Sequence, residues 1–251
     1  MKLTRIAFAV AAATLATSAM ADITTPNAGP SDLFLAVWNP TTNQSIVQDL
    51  GVNLSNFQGT TSYQIDAGSF ASDLNASGAV YAVVGGDATA GGFVNQFQGD
   101  AFYTTTASSS NLAGLASGNI ANGAITLGNW LDNIESANGG TLNPIKGNGA
   151  LDPLYWNKAA PGGGPNQTVG VSSTFDASKA IGTSVGFYSL DAVAPDSSST
   201  AAHVTTFAGN WNLSSSGLLT WTPVPLPAAV WMLLSGLCGV GALSRRRSAE
   251  A

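Results

Sequence analysis

The sequence predicts a mainly β protein: a β-sandwich-like ectodomain with a few short helices, set between an N-terminal signal peptide and a C-terminal transmembrane helix. Three observations lead there. Short runs rich in Val, Ile, Phe, Tyr, Trp and Thr recur along residues 22–223, separated by Gly, Asn and Pro turn chemistry. Helical periodicity is scarce over the same stretch. Uncharged apolar runs bordered by basic residues occur at the two ends of the chain.

In chain order, Asp32 to Trp38 forms an early strand closed by Asn39-Pro40, and Ser45 to Leu50 returns, so a hairpin is expected around Asn39 to Asn43. Gly78 to Val84 is strand-like and is expected to end at Gly85-Gly86-Asp87. Asp100 to Thr106 mixes aromatic and β-branched residues after a Gln98-Gly99 turn, and Gln167 to Ser172 and Ser184 to Leu190 are further strands. Val204 to Leu213 puts Phe207, Gly209, Trp211 and Leu213 on one face; Ser214-Ser215-Ser216-Gly217 turns the chain and Leu218 to Thr222 completes a hairpin. Helical signals are confined to Asn129 to Ala137, with Trp130, Leu131 and Ile134 on one side and Asn129 as cap, to Asn111 to Ile120, and to Asp66 to Leu74. Gly139 to Gly164, rich in Pro and Gly, is expected to be a long loop. Many short strands with polar turns fit a sandwich.

Charge excludes one class of partner. Residues 22–223 carry three lysines against twelve Asp and Glu135, a net charge of −10. So few cations cannot neutralise a phosphate backbone, and nucleic acid is excluded. Solubility rests instead on abundant Ser, Thr, Asn and Gly. The sole cysteine, Cys238, lies in the C-terminal apolar run, so the ectodomain holds no disulfide and is stabilised by apolar packing.

Catalytic chemistry finds little material, and no catalytic residue, cofactor or metal is expected. His203 is the only histidine, which excludes a site built on several imidazoles. Phosphate-binding glycine loops and a calcium loop are missing from the sequence. Asp132 and Glu135, at i and i+3, are read as a solvated helix face in preference to a hydrolytic carboxylate pair. Of five tryptophans outside the apolar end, Trp38, Trp211 and Trp221 fall on strands, where core packing is the ordinary role. Trp156, beside Tyr155 in the Pro-Gly loop, is the candidate for an exposed sugar-stacking platform.

The ends carry the stronger signals. Lys2 and Arg5 precede the uncharged run Ile6 to Leu15, and Ala19 and Ala21 supply the small residues a signal peptidase requires, so residues 1–21 are a signal peptide and the mature chain begins at Asp22. At the other end, residues 224–251 divide into Val224-Pro225-Leu226-Pro227-Ala228, an uncharged stretch, and Arg245-Arg246-Arg247. Ala228 to Ser244 is 17 residues, about 25 Å of helix, the lower limit for crossing a bilayer core. The arginines hold the C-terminus on the cytoplasmic side. Pro225 and Pro227 cannot continue a helix upstream, which leaves the chain before the membrane extended and open to a protease.

This tail resembles the PEP-CTERM family of sorting signals in its VPLPA form, over about 28 residues at the extreme end. Leu226 stands where the commoner form of that family carries Glu. The resemblance implies an exosortase-type processing enzyme as partner, a Gram-negative exopolysaccharide-producing host, and a protein held transiently in the inner membrane before it reaches the cell surface or the extracellular space. The alternative for the tail is a permanent single-span anchor. For the ectodomain the expectation is a structural or interaction protein of the surface or matrix; the alternative is a carbohydrate-binding module for exopolysaccharide. Exposed coplanar Trp or Tyr would favour the module, and burial of these rings would favour the structural role. A hydrolase using His203, or Asp132 with Glu135, ranks third.

Overall fold

The computed structural model describes residues 24–39, 41–42, 44–66, 78–88, 100–106, 112, 114–137, 145–148, 179–193 and 200–224. They form ten strands and one α-helix: β1 (Asp32–Asn39), β2 (Gln44–Asn53), β3 (Tyr63–Asp66), β4 (Val80–Asp87), β5 (Ala101–Thr106), α1 (Ser117–Ala137), β6 (Ile145–Asn148), β7 (Lys179–Ala180), β8 (Val185–Asp191), β9 (His203–Leu213) and β10 (Leu218–Pro223). Strands take 53% of these residues, so the protein is mainly β, as its short apolar runs predict. All pairings are antiparallel, in the order β3-β10-β9-β8-β5-β4-β1-β2-β6, with β7 added to the start of β4.

The sheet grows from β1. Its six consecutive apolar residues, Leu33 to Trp38, are each no more than 1% exposed. Side chains alternate across a strand, so such a run is stable only where both faces are covered. Leu33, Leu35 and Val37 enter one core with Tyr81, Val83, Phe187, Trp211, Leu213 and Trp221. Phe34, Ala36 and Trp38 enter the other with Phe102, Leu190 and the helix residues Ile120, Leu127, Trp130 and Leu131. The first core joins β1, β2 and β4 to β8, β9 and β10, which requires the sheet to curl until its halves face each other; it is nearly closed. Tyr81 spans the interior, its hydroxyl donating towards the carbonyls of Thr183 (2.7 Å) and Trp211 (3.1 Å).

The expected hairpins are present. Asn39 Oδ1 accepts the Thr41 and Thr42 amides at 2.9 and 3.3 Å, an Asx turn that starts the return into β2. In the last hairpin, Ser214 Oγ accepts the Leu218 amide at 3.0 Å. Trp211 and Leu213 point inward as the alternation requires.

Four expectations are corrected. β4 does not stop at Gly85 but runs through both glycines to Asp87, which are placed for close approach: a Cβ on Gly85 would meet Leu54 at 3.1 Å, and one on Gly86 would meet Ala124 at 3.3 Å. Among the described residues, the two short helices expected at Asn111 to Ile120 and Asn129 to Ala137 are replaced by one α-helix of 21 residues, with a 3-10 turn at Leu54–Asn56. Gly118, Gly123 and Gly128 weaken helix propensity, but Ile120, Ala124, Leu127 and Leu131 recur on one stripe against the sheet, and packing overrides propensity. The stretch 139–164, expected as loop, contains β6, which pairs with β2. Asp66, expected to begin a helix, ends β3. The remaining expected helix residues, 67–74, and the strand at 167–172 lie outside the described residues.

Gly209 is a packing requirement. Any Cβ there would fall within the Trp221 indole, whose Nε1–H donates to the Gly59 carbonyl at 3.0 Å. Gly209→Ala is expected to cost about 2–3 kcal/mol, the penalty for overpacking a filled core, read as a lowered denaturation midpoint with an unchanged slope.

Candidate functional site

Of the sorting, cleavage and sugar-binding residues nominated by sequence, Val224 is described. The others lie outside the described residues: Ala19 and Ala21, Pro225, Leu226, Pro227 and Ala228, Arg245, Arg246 and Arg247, and the proposed sugar-binding pair Tyr155 and Trp156. No described helix is long and apolar enough to cross a membrane, and the apolar run 229–244 is outside the described residues.

Four tryptophans are core residues: Trp38 and Trp211 at 0% exposure, Trp221 at 1% and Trp130 at 5%. Trp211 and Trp221 lie 5.3 Å apart within a cluster that includes Phe57, Phe187 and Phe207. Their faces are spent on each other and offer nothing to a sugar.

His203 opens β9. It pairs across the sheet with Asp191, and Tyr103 lies opposite Ser189 on neighbouring strands. Ser189 Oγ donates to Asp191 Oδ1 at 2.6 Å, while His203 Nδ1 is 3.4 Å from Asp191 Oδ2. The carboxylate takes the serine hydroxyl, where a nucleophilic triad needs the imidazole to take it. His203 is well exposed, so its contact with Asp191 is a weak surface pair. Ser189 and the two aspartates Asp191 and Asp87 flank Tyr103, whose hydroxyl pKa is raised chiefly by burial. Asp132 accepts from Asn27 Nδ2 at 2.8 Å, tying α1 to the chain before β1, and the Glu135 side chain is outside the described residues.

A concave feature with a mixed polar and apolar lining arises elsewhere, from an irregularity in β2. Asp32 pairs with Asn53 and Phe34 with Asp49, so β2 carries two more residues than β1 over this stretch. A bulge bends its strand and re-aims side chains. Gly51 takes φ +63°, a conformation that disfavours a side chain, and its amide donates to Asp49 Oδ1 at 2.8 Å. Asn53 caps the 3-10 turn, accepting from Ser55 N at 3.0 Å and donating through Nδ2 to Pro30 O at 2.7 Å. The result is a groove of about 410 Å³ lined by Thr24, Asp32, Gly51, Val52, Asn53, Asn56 and Tyr63. Asp32 is 7% exposed and accepts the Thr24 amide through Oδ2 at 3.0 Å. Tyr63 stacks on Phe57 with centroids 5.5 Å apart.

These groove residues escape sequence reading. The Gly51 and Asn53 to Asn56 chemistry looks like an ordinary end of strand at Leu50, and the bulge exists only relative to β1.

Asp49 stands beside the groove. Burial, with a smaller contribution from the Asp32 charge, pushes its pKa up to about 6, against the opposing hydrogen bond from the Gly51 amide. The folded state thus holds this proton more tightly than the unfolded chain. That stability is complete below the ordinary aspartate range and is lost as pH rises through about 6. With allowance for partial solvent access, the loss amounts to about 1–2 kcal/mol. Asp49→Asn keeps an acceptor for Gly51 and removes the charge. It is expected to raise stability by about 1–2 kcal/mol at pH 8 and to change it little at pH 4, measured as the difference from wild type in urea denaturation.

Comparison with known proteins finds no matching family model, no matching curated protein and no matching solved structure. Among the described residues no group of three or more His, Cys, Asp or Glu side chains could hold a metal ion.

Proposed function

We propose that this chain is an exported structural or interaction protein of the cell surface or extracellular matrix, sorted through its C-terminal signal by an exosortase-type enzyme. The observation that carries it is the order of features at the C-terminus: Val224 to Ala228 with its two prolines, an apolar stretch to Ser244, and Arg245 to Arg247. On this reading residues 1–21 are removed by signal peptidase. Residues 22–223 form a β-sandwich-like ectodomain, its two halves being the facing parts of the curled sheet. Residues 228–244 anchor the chain in the inner membrane until processing delivers it outward.

The end of the fold supports this division. β10 stops at Pro223, and Val224 is tied back through its amide to the Ala208 carbonyl at 2.8 Å while its side chain is 55% exposed. Val224, the first residue of the proline motif, thus follows directly on the last strand. Burial of Trp38, Trp130, Trp211 and Trp221 favours the structural role over a module that binds sugar through tryptophan platforms.

Replacing Pro225 and Pro227 together by Ala extends the helix upstream and is expected to leave full-length protein in the inner membrane, followed by fractionation and intact mass. Release of mature protein at its usual mass from this variant contradicts the sorting assignment.

A further inference from the structure

We infer that the groove between β1, the β2 bulge and Tyr63 is a binding site for a short neutral saccharide. This supplies a ligand class for the surface protein proposed above. It rests on that reading only for where the sugar is met, not for whether it binds.

The lining selects the ligand by elimination. At about 410 Å³ the groove falls within the range of small-molecule sites, roughly 300–1,000 Å³. None of Thr24, Asp32, Gly51, Val52, Asn53, Asn56 and Tyr63 is cationic, and Asp32 is a buried carboxylate, so phosphates, sulfates and uronic acids meet repulsion and no counter-charge. A metal ion would need more acidic ligands than this one carboxylate supplies. An apolar ligand would desolvate the exposed Asn56 amide and the rim of the Asp32 carboxylate without offering either a hydrogen bond. What remains is a molecule that presents hydroxyl groups at its edge and C–H groups on its face.

The groove offers partners for both. A carboxylate and side-chain amides exchange hydrogen bonds with vicinal hydroxyls, since the amide both donates and accepts. Tyr63 provides an aromatic ring whose position is fixed by stacking on Phe57. The site is also held in advance of binding. Asn53 is locked to Pro30 and Ser55, Asp32 to Thr24, and Gly51 to Asp49, so little ordering accompanies ligand entry. Asn56, exposed at the end of the 3-10 turn, is the amide placed to meet the incoming sugar.

The test uses the full chain, solubilised in a detergent without a sugar headgroup, titrated calorimetrically with neutral gluco-, galacto-, manno- and xylo-oligosaccharides and with an oligouronate of equal length. At least one neutral oligosaccharide is expected to bind saturably and the oligouronate to bind at least tenfold more weakly. Asn56→Ala and Asp32→Asn are each expected to weaken the neutral sugar at least tenfold. Near-UV circular dichroism of the Phe57–Trp211–Trp221 cluster verifies the fold, and Asn56→Ala, on an exposed side chain, tests the site even where Asp32→Asn perturbs folding. Absence of binding to every neutral sugar, equal binding of the oligouronate, or unchanged affinity in a folded Asn56→Ala variant overturns the inference. Because the unprocessed chain is used, a failed sorting assignment leaves this result untouched, and a failed titration leaves sorting untouched.

Discussion

The structure depends on one strand that cannot tolerate water on either side. Leu33 to Trp38 has no polar residue to turn outward, so β1 requires two covers. The curl of the sheet provides one, bringing β8, β9 and β10 opposite β1 and β4; α1 provides the other. Because residues 22–223 contain no cysteine and only three lysines to pair with carboxylates, these two apolar layers carry the stability of the sheet. The glycines of β4 belong to the same constraint, since Leu54 and Ala124 close in on the strand from opposite faces only where no side chain intervenes.

Aromatic packing decides how the inner layer is filled. Phe57 touches Tyr63, Phe187, Phe207, Trp211 and Trp221 with centroid separations of 5.3 to 6.0 Å, making it the hub of the cluster. Among the described residues, the indole nitrogens of Trp38 and Trp211 have no hydrogen-bond partner. Each unpaired donor costs about 1–3 kcal/mol, whereas burying an indole of roughly 200 Å² contributes about 5 kcal/mol. Burial wins. The four described tryptophans thereby become structural, and the proposed saccharide site draws on smaller polar groups where the β2 bulge opens the surface.

Much of this fold is legible in the sequence, and the residues show why. The β1–β2 and β9–β10 hairpins announce themselves because alternation and Asx or Ser turn chemistry act over a few neighbours, as at Asn39 and Ser214. β3, β6 and β7, of two to four residues each, are not legible, because their extended state is imposed by β10, β2 and β4. The helix was half legible: Trp130 and Leu131 mark its second half, but its glycines hide the continuity that contact with the sheet restores. The groove was hidden for a different reason. It is built from Gly51, Asn53 and Asn56, residues typical of any turn, and it exists because β2 is two residues longer than its partner over one interval.

Hydrogen exchange of the full chain addresses the double burial of β1 most directly, since amides at the centre of a cooperative core exchange only through global opening. The account predicts that the amides of Leu33 to Trp38 are among the slowest, with an opening free energy equal to that of urea unfolding. It also predicts that the peripheral strand β3 opens earlier. Exchange of the β1 amides as rapid as that of Tyr63 to Asp66 would mean that the strand is not enclosed between two layers, and would contradict the architecture described.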